Sequence, residues 1–173
     1  MKLAVLVAAA ATIALAEIPT GVPRSVLEGV ERNFLATLVN ADPEDRFEVL
    51  AFPQGVYLPG YGLVFTAKVN LTVTPAITPF RQSISAKDVE RVRDRKLKKL
   101  PLLKTTIKQF LLKTAKSLDQ VPPGEQMVVA VALHHVSWEN TEGLPLQIVF
   151  HGERRELLSR LAATDAAIKM EEY

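Results

Sequence analysis

The sequence predicts an α+β domain, a mostly antiparallel sheet of about four strands with helices packed on one face. Three observations carry this. Residues 61–74 alternate with a period of two, apolar positions from Val26 to Leu38 and from Val89 to Leu118 recur at helical spacing, and the order is helix, strand, strand, long helix, strand, strand, helix.

Each element has a local cause. Val26, Leu27, Val30, Phe34, Leu35 and Leu38 share one helical face, and Asn40 with Asp42-Pro43 ends it, because a residue before proline leaves the helical region. The run 46–52 is rich in β-formers and meets Pro53-Gln54-Gly55, which reads as a turn. Pro59-Gly60 then supplies a tight turn, and Gly62 marks a bulge or a close backbone approach at the entrance of the next strand. That strand places Tyr61, Leu63, Phe65, Ala67, Val69, Leu71 and Val73 on one face and leaves Lys68 and Asn70 wet on the other.

Ser85 and Asp88 form a capping box for the long helix, whose apolar face is Val89, Val92, Leu100, Leu103, Ile107, Phe110, Thr114 and Leu118. Lys96 intrudes on that face and Pro101 lies close to it, so a kink or break is expected between about 97 and 102. The run 127–138 is apolar at both odd and even positions, as a central strand covered on both faces would be. A turn at 140–143 leads to a strand at 146–151, and Gly152 opens a final helix carrying Leu157, Leu158, Leu161 and Ile168.

Residues 1–16, MKLAVLVAAAATIALA, join one cation at Lys2 to an apolar run that ends in Ala14-Leu15-Ala16. This is the pattern of a secretory signal peptide cleaved before Glu17, which leaves one domain over 17–173 and an exported, periplasmic or extracellular protein. The run is too short to span a bilayer comfortably, which takes about 20 residues. No cysteine is present, so stability rests on packing rather than disulfides.

Charge is uneven. Residues 87–118 hold eleven basic and three acidic side chains, and this basic helix, with Arg91, Arg95, Lys98 and Lys99, suits an acidic protein or an anionic envelope surface. Nucleic acid fits poorly, because no aromatics interleave with the cations. The segment YLPGYGLVFTAKVNL (57–71) offers a second candidate surface, in which Tyr57, Gly60, Tyr61 and Gly62 would rim a binding cleft. This segment resembles one in uncharacterised exported bacterial proteins, a resemblance that implies export and carries no activity.

Enzyme chemistry finds little footing. Gly60-Tyr61-Gly62 leads into a strand, without the third glycine or the helix that a dinucleotide fingerprint needs. His134 and His135 point to opposite faces if the strand continues, which disfavours a shared metal. A hairpin about the 140–143 turn would set His135 opposite Gln147 and His151 near Val131. The alternatives to a non-enzymatic binding domain are a small hydrolase-like enzyme using His134 or His135 and a purely structural envelope protein, and no cofactor is implied. Asn70-Leu71-Thr72 matches an N-glycosylation sequon.

Overall fold

The computed structural model describes residues 21–79, 83–159 and 167–173, so the expected signal peptide and Leu161 of the expected last helix lie outside the described residues. The elements are α1 (Arg24–Val39), β1 (Glu48–Leu58), β2 (Gly62–Asn70), α2 (Ala86–Ser117), β3 (Gln126–Leu133), β4 (Gln147–Glu153), α3 (Arg154–Leu158) and β5 (Lys169–Glu172). The strands form one sheet in the order β1-β2-β3-β4-β5. Neighbours are antiparallel except β2 and β3, which run parallel because α2 carries the chain across between them.

The α+β expectation stands, with two corrections. The sheet has five strands rather than about four, and α3 is a single turn continuing from β4 rather than a layer on the sheet. Ile168, expected on the final helix, instead leads into β5, which takes the edge beside β4.

The core lies on the face of the sheet that carries Leu63, Phe65, Ala67 and Val69 of β2, Met127, Val129, Val131 and Leu133 of β3, and Ile148 and Phe150 of β4. Phe34 of α1 and Phe110 of α2 stack with ring centres 4.1 Å apart, and Phe110 meets Phe65 edge-on at 5.6 Å. These three rings tie both helices to the sheet. The side chains between those positions, Val128 among them, contribute nothing to this core.

β1 extends through Pro53-Gln54-Gly55, where the sequence suggested a turn. As an edge strand it can hold a proline, since the missing N–H can fall on the unpaired side. Gly55 is covered by the ring of Phe65 on β2, and a β-carbon there would crowd it. The free edge at Gly55 is closed by α1. Its N–H donates to Glu31 Oε1 at 2.7 Å, while Arg24 donates to the Gly55 carbonyl at 3.3 Å and to both Glu31 oxygens at 2.8 and 3.0 Å.

α2 runs unbroken through Pro101, against the expected break. Pro101 is exposed, so water can replace the backbone bond it forfeits. Lys96, which intrudes on the apolar face, is resolved by pairing. It is 1 per cent exposed and lies 2.5 Å from Glu139, 2 per cent exposed, while also donating to the His134 carbonyl at 3.0 Å. The last turn of α2 is held by buried Arg154, which donates to the carbonyls of Ala115 and Val121 and to Asp119.

Candidate functional site: the open sheet face and the 57–62 turn

The 57–62 turn is satisfied by its own chain. Tyr61 N–H donates to Leu58 O at 3.0 Å, and Gly60 adopts φ +80°, which glycine accepts without strain. Gly60 N–H and the Tyr57 hydroxyl both donate to Glu125 Oε1, at 3.1 and 3.2 Å. Burial first, and then the hydrogen bond and charge of Glu125, push the Tyr57 phenol above its ordinary range. Gly62, at φ +135°, sits where a β-carbon would overlap the Gln126 carbonyl oxygen. The close approach inferred from the sequence is therefore made by β3 of the same chain.

Of the four turn residues, Tyr61 faces outward. It lines a cleft of about 460 Å³ with Gln126, His151, Glu153, Glu156 and Lys169. The cleft lies at one end of the sheet face that adds nothing to the core. Registered rows cross this face: Leu58, Gly62, Gln126 and Glu153 at the cleft; then Val56, Val64, Val128, His151 and Lys169; then Gln54, Thr66, Ala130, Val149 and Glu171. Further along β1, Leu50 and Phe52 are exposed in a stretch where two register shifts break the alternation. Leu50, Phe52, Val56, Leu58 and Tyr61 are each 40 to 50 per cent exposed.

Of 127–138, expected as a central strand covered on both faces, β3 takes the part up to Leu133, lies in the middle of the sheet and has no exposed position. Val128 is buried and Ala130 and Ala132 are half-buried, and the side chains in register beside them on this face are those of β2 and β4. At the far rim, the Tyr173 hydroxyl and then His151 hold the Glu171 carboxyl below its usual range.

The basic helix is less available than its composition suggests. Lys99 is buried, donates to the Asp45 carbonyl, lies within reach of the Asp42 and Asp45 carboxylates, and sits 4.9 Å from the ring centre of Phe47. Arg91 pairs with Asp88 and Arg95 with Asp45. Of the four marked cations, Lys98 is exposed with no carboxylate in ion-pair reach among the described residues. Neither Lys98 nor the other three lines the cleft.

His134 and His135 lie beyond the end of β3 opposite the cleft. The register pairs Gln147 with Ala132 and His151 with Val128, three positions from the expected hairpin, because the 134–146 connection is a long loop folded over Lys96 and Glu139 rather than a tight turn. His135 Nε2 is 3.1 Å from the Pro145 carbonyl, so this nitrogen carries the hydrogen, and Nδ1 is 3.4 Å from Glu139. Among the described residues neither ring is hydrogen-bonded to a serine or threonine hydroxyl. No group of three or more His, Cys, Asp or Glu among them is placed to hold a metal ion.

Asn70 of the sequon is 3 per cent exposed and donates to Glu48 at 3.0 Å, so a glycan has no room on the folded chain. Of the side chains in this site, sequence reasoning found Tyr61 and missed the apolar face. The signal for that face was the apolar even positions of 127–133.

No family model matches the chain, and no curated protein or solved structure is similar enough to carry a function over to it.

Proposed function

We propose that this chain is an exported, non-enzymatic interaction domain whose contact surface is the open sheet face ending at Tyr61. The observation that carries the reading is the group of large apolar side chains at the cleft end of this face, Val56, Leu58 and Tyr61, left half in water outside the core. Contiguous exposed apolar surface of this kind marks a contact site far more often than single scattered residues do. Export is supported by the composition of residues 1–16. No helix among the described residues is long and apolar enough to cross a membrane.

The polar cleft beside Tyr61 gives the surface a directional end. Gln126, Glu153, Glu156 and Lys169 offer acceptors and a cation next to the apolar rows, the combination of apolar area and a few placed polar groups that fixes orientation in binding sites.

The test is amide chemical-shift mapping with cyclohexanol, a neutral apolar probe, on the wild type and on Phe52→Ser with Val56→Thr. Shifts should concentrate on residues 50–64 and 126–130. The double variant should lose them and keep its melting midpoint. An unshifted open face, or a melting midpoint that collapses in the double variant, contradicts the reading.

A further inference from the structure

After Asp94 the long helix changes character. Residues 95–118 hold eight cations and no acidic side chain. Arg95, Lys96, Lys99 and Lys104 each pair with a carboxylate, so half of these cations serve the fold. Lys98, Lys113 and Lys116 do not. Each is exposed, with no carboxylate in ion-pair reach among the described residues.

The helical rotation of about 100° per residue sets Lys98, Leu102, Thr105, Gln109, Lys113 and Lys116 in one sector about 80° wide, turned away from buried Leu103, Ile107 and Phe110. All six are exposed. α1 lies beside this stripe, with Phe34 stacked on Phe110, and adds exposed Arg32, which has no ion pair among the described residues. The acids of α1 are engaged, Glu28 with Arg24 and Glu31 in the interior with Gly55.

Two features set this stripe apart from an ordinary solvated face. The earlier half of α2 exposes Glu90 and Asp94 among Lys87 and Arg91, whereas the later half exposes cations with no counter-charge. Residues three apart are neighbours on a helix, so Lys113 and Lys116 repel each other, a cost that no acid on this helix face offsets.

The shape of the stripe selects the occupant. From Lys98 to Lys116 is about 27 Å along the helix axis, too far for one small anion to bridge. A protein partner gains most from an apolar anchor in a pocket, and the stripe offers only Leu102, 36 per cent exposed, among polar side chains. Cations spread along the outer side of a helix match an anionic bilayer, which needs area rather than a pocket. We propose that the helix layer docks on an anionic lipid bilayer through Arg32, Lys98, Lys113 and Lys116. The open sheet face lies on the other side of the sheet from both helices and stays free in this orientation, so the inference is independent of the reading above.

Co-sedimentation of the intact protein with mixed phosphatidylglycerol and phosphatidylcholine vesicles tests it, with pure phosphatidylcholine vesicles and soluble polyglutamate in parallel. The mixed vesicles should bind at least about tenfold more tightly than pure phosphatidylcholine, and less tightly as salt rises. Lys98→Gln with Lys116→Gln, at exposed helix positions where glutamine is well accepted, should weaken binding at least about tenfold and keep the melting midpoint. Arg46→Gln with Lys87→Gln removes the same charge from exposed positions outside the stripe and should weaken binding less than about twofold. Equal binding to both vesicles, equal losses in the two double variants, or a melting midpoint that collapses without Lys98 and Lys116 overturns the proposal. So does polyglutamate binding at least as tight as the mixed vesicles, which would mark an acidic protein as the partner.

Discussion

Gly60 and Gly62 are two residues apart and serve different purposes. Gly60 supplies a positive φ in open space, so Gly60→Ala carries only the backbone penalty, about 1 kcal/mol. Gly62 supplies a positive φ and also lets the Gln126 backbone approach, so Gly62→Ala should cost at least about 3 kcal/mol. Urea titration of both variants checks this ordering. Equal losses would mean that the packing of β2 on β3 does not demand glycine. A second residue-scale outcome concerns Asp45. Burial raises its carboxyl, but Arg95 and Lys99 outweigh burial and hold it below the usual aspartate range. A depressed folded value means that the stabilisation is present above the unfolded value of about 4 and is lost as pH falls through the lower folded one. Asp45→Asn should therefore flatten the loss of stability below about pH 4 in denaturant midpoints measured across pH. An acid limb identical to wild type would show that Asp45 is uncoupled from folding.

At the scale of elements, α2 is both a core helix and the anchor of the 134–146 loop. Lys96 makes the second role possible. Lys96→Met leaves Glu139 buried without its cation and should cost about 3–5 kcal/mol, whereas adding Glu139→Leu to it should recover most of the loss. Guanidinium denaturation of the single and double variants checks this, and a single-variant loss below about 1 kcal/mol would show the loop to be held by other contacts. The same residue shows what sequence makes legible. Periodicity located α1, α2 and β2, while β3 and β4 were legible as apolar runs on either side of a turn. It marked Lys96 as an intruder on the apolar face, but the partner that makes the intrusion tolerable lies 43 positions away. β5 left no signal, since Lys169, Met170, Glu171 and Glu172 are all exposed and mostly charged. β1 was cut short at Pro53 because proline and glycine usually punctuate turns, and only its place at the sheet edge, with Phe65 over Gly55, lets the strand continue. Tyr61 was legible as a candidate because the glycines drew attention to it. The open face was not, since valine and alanine look the same whether a helix or water lies above them.

At the scale of the molecule, both sheet edges are blunted while, among the described residues, one face of the sheet lies outside the core. Arg24 and Glu31 occupy the backbone groups of Gly55, register shifts interrupt β1 before it, and β5 is short and charged. These are devices against strand addition, so recognition by this fold falls to its face rather than its edges. Part of the charge of α2 is used within the chain, with Arg93, Arg95, Lys96, Lys99 and Lys104, five of its eleven cations, holding loops and strands in place. The central claim is that the core occupies one side of the sheet and that the other side is left for contact. Methyl relaxation enhancement by a neutral gadolinium chelate, measured on dilute protein, tests it most directly. The methyls of Leu50, Val56 and Leu58 should be strongly broadened while those of Leu63, Val69 and Ile148 stay sharp; protection of Val56 and Leu58 equal to that of Leu63 would contradict the account.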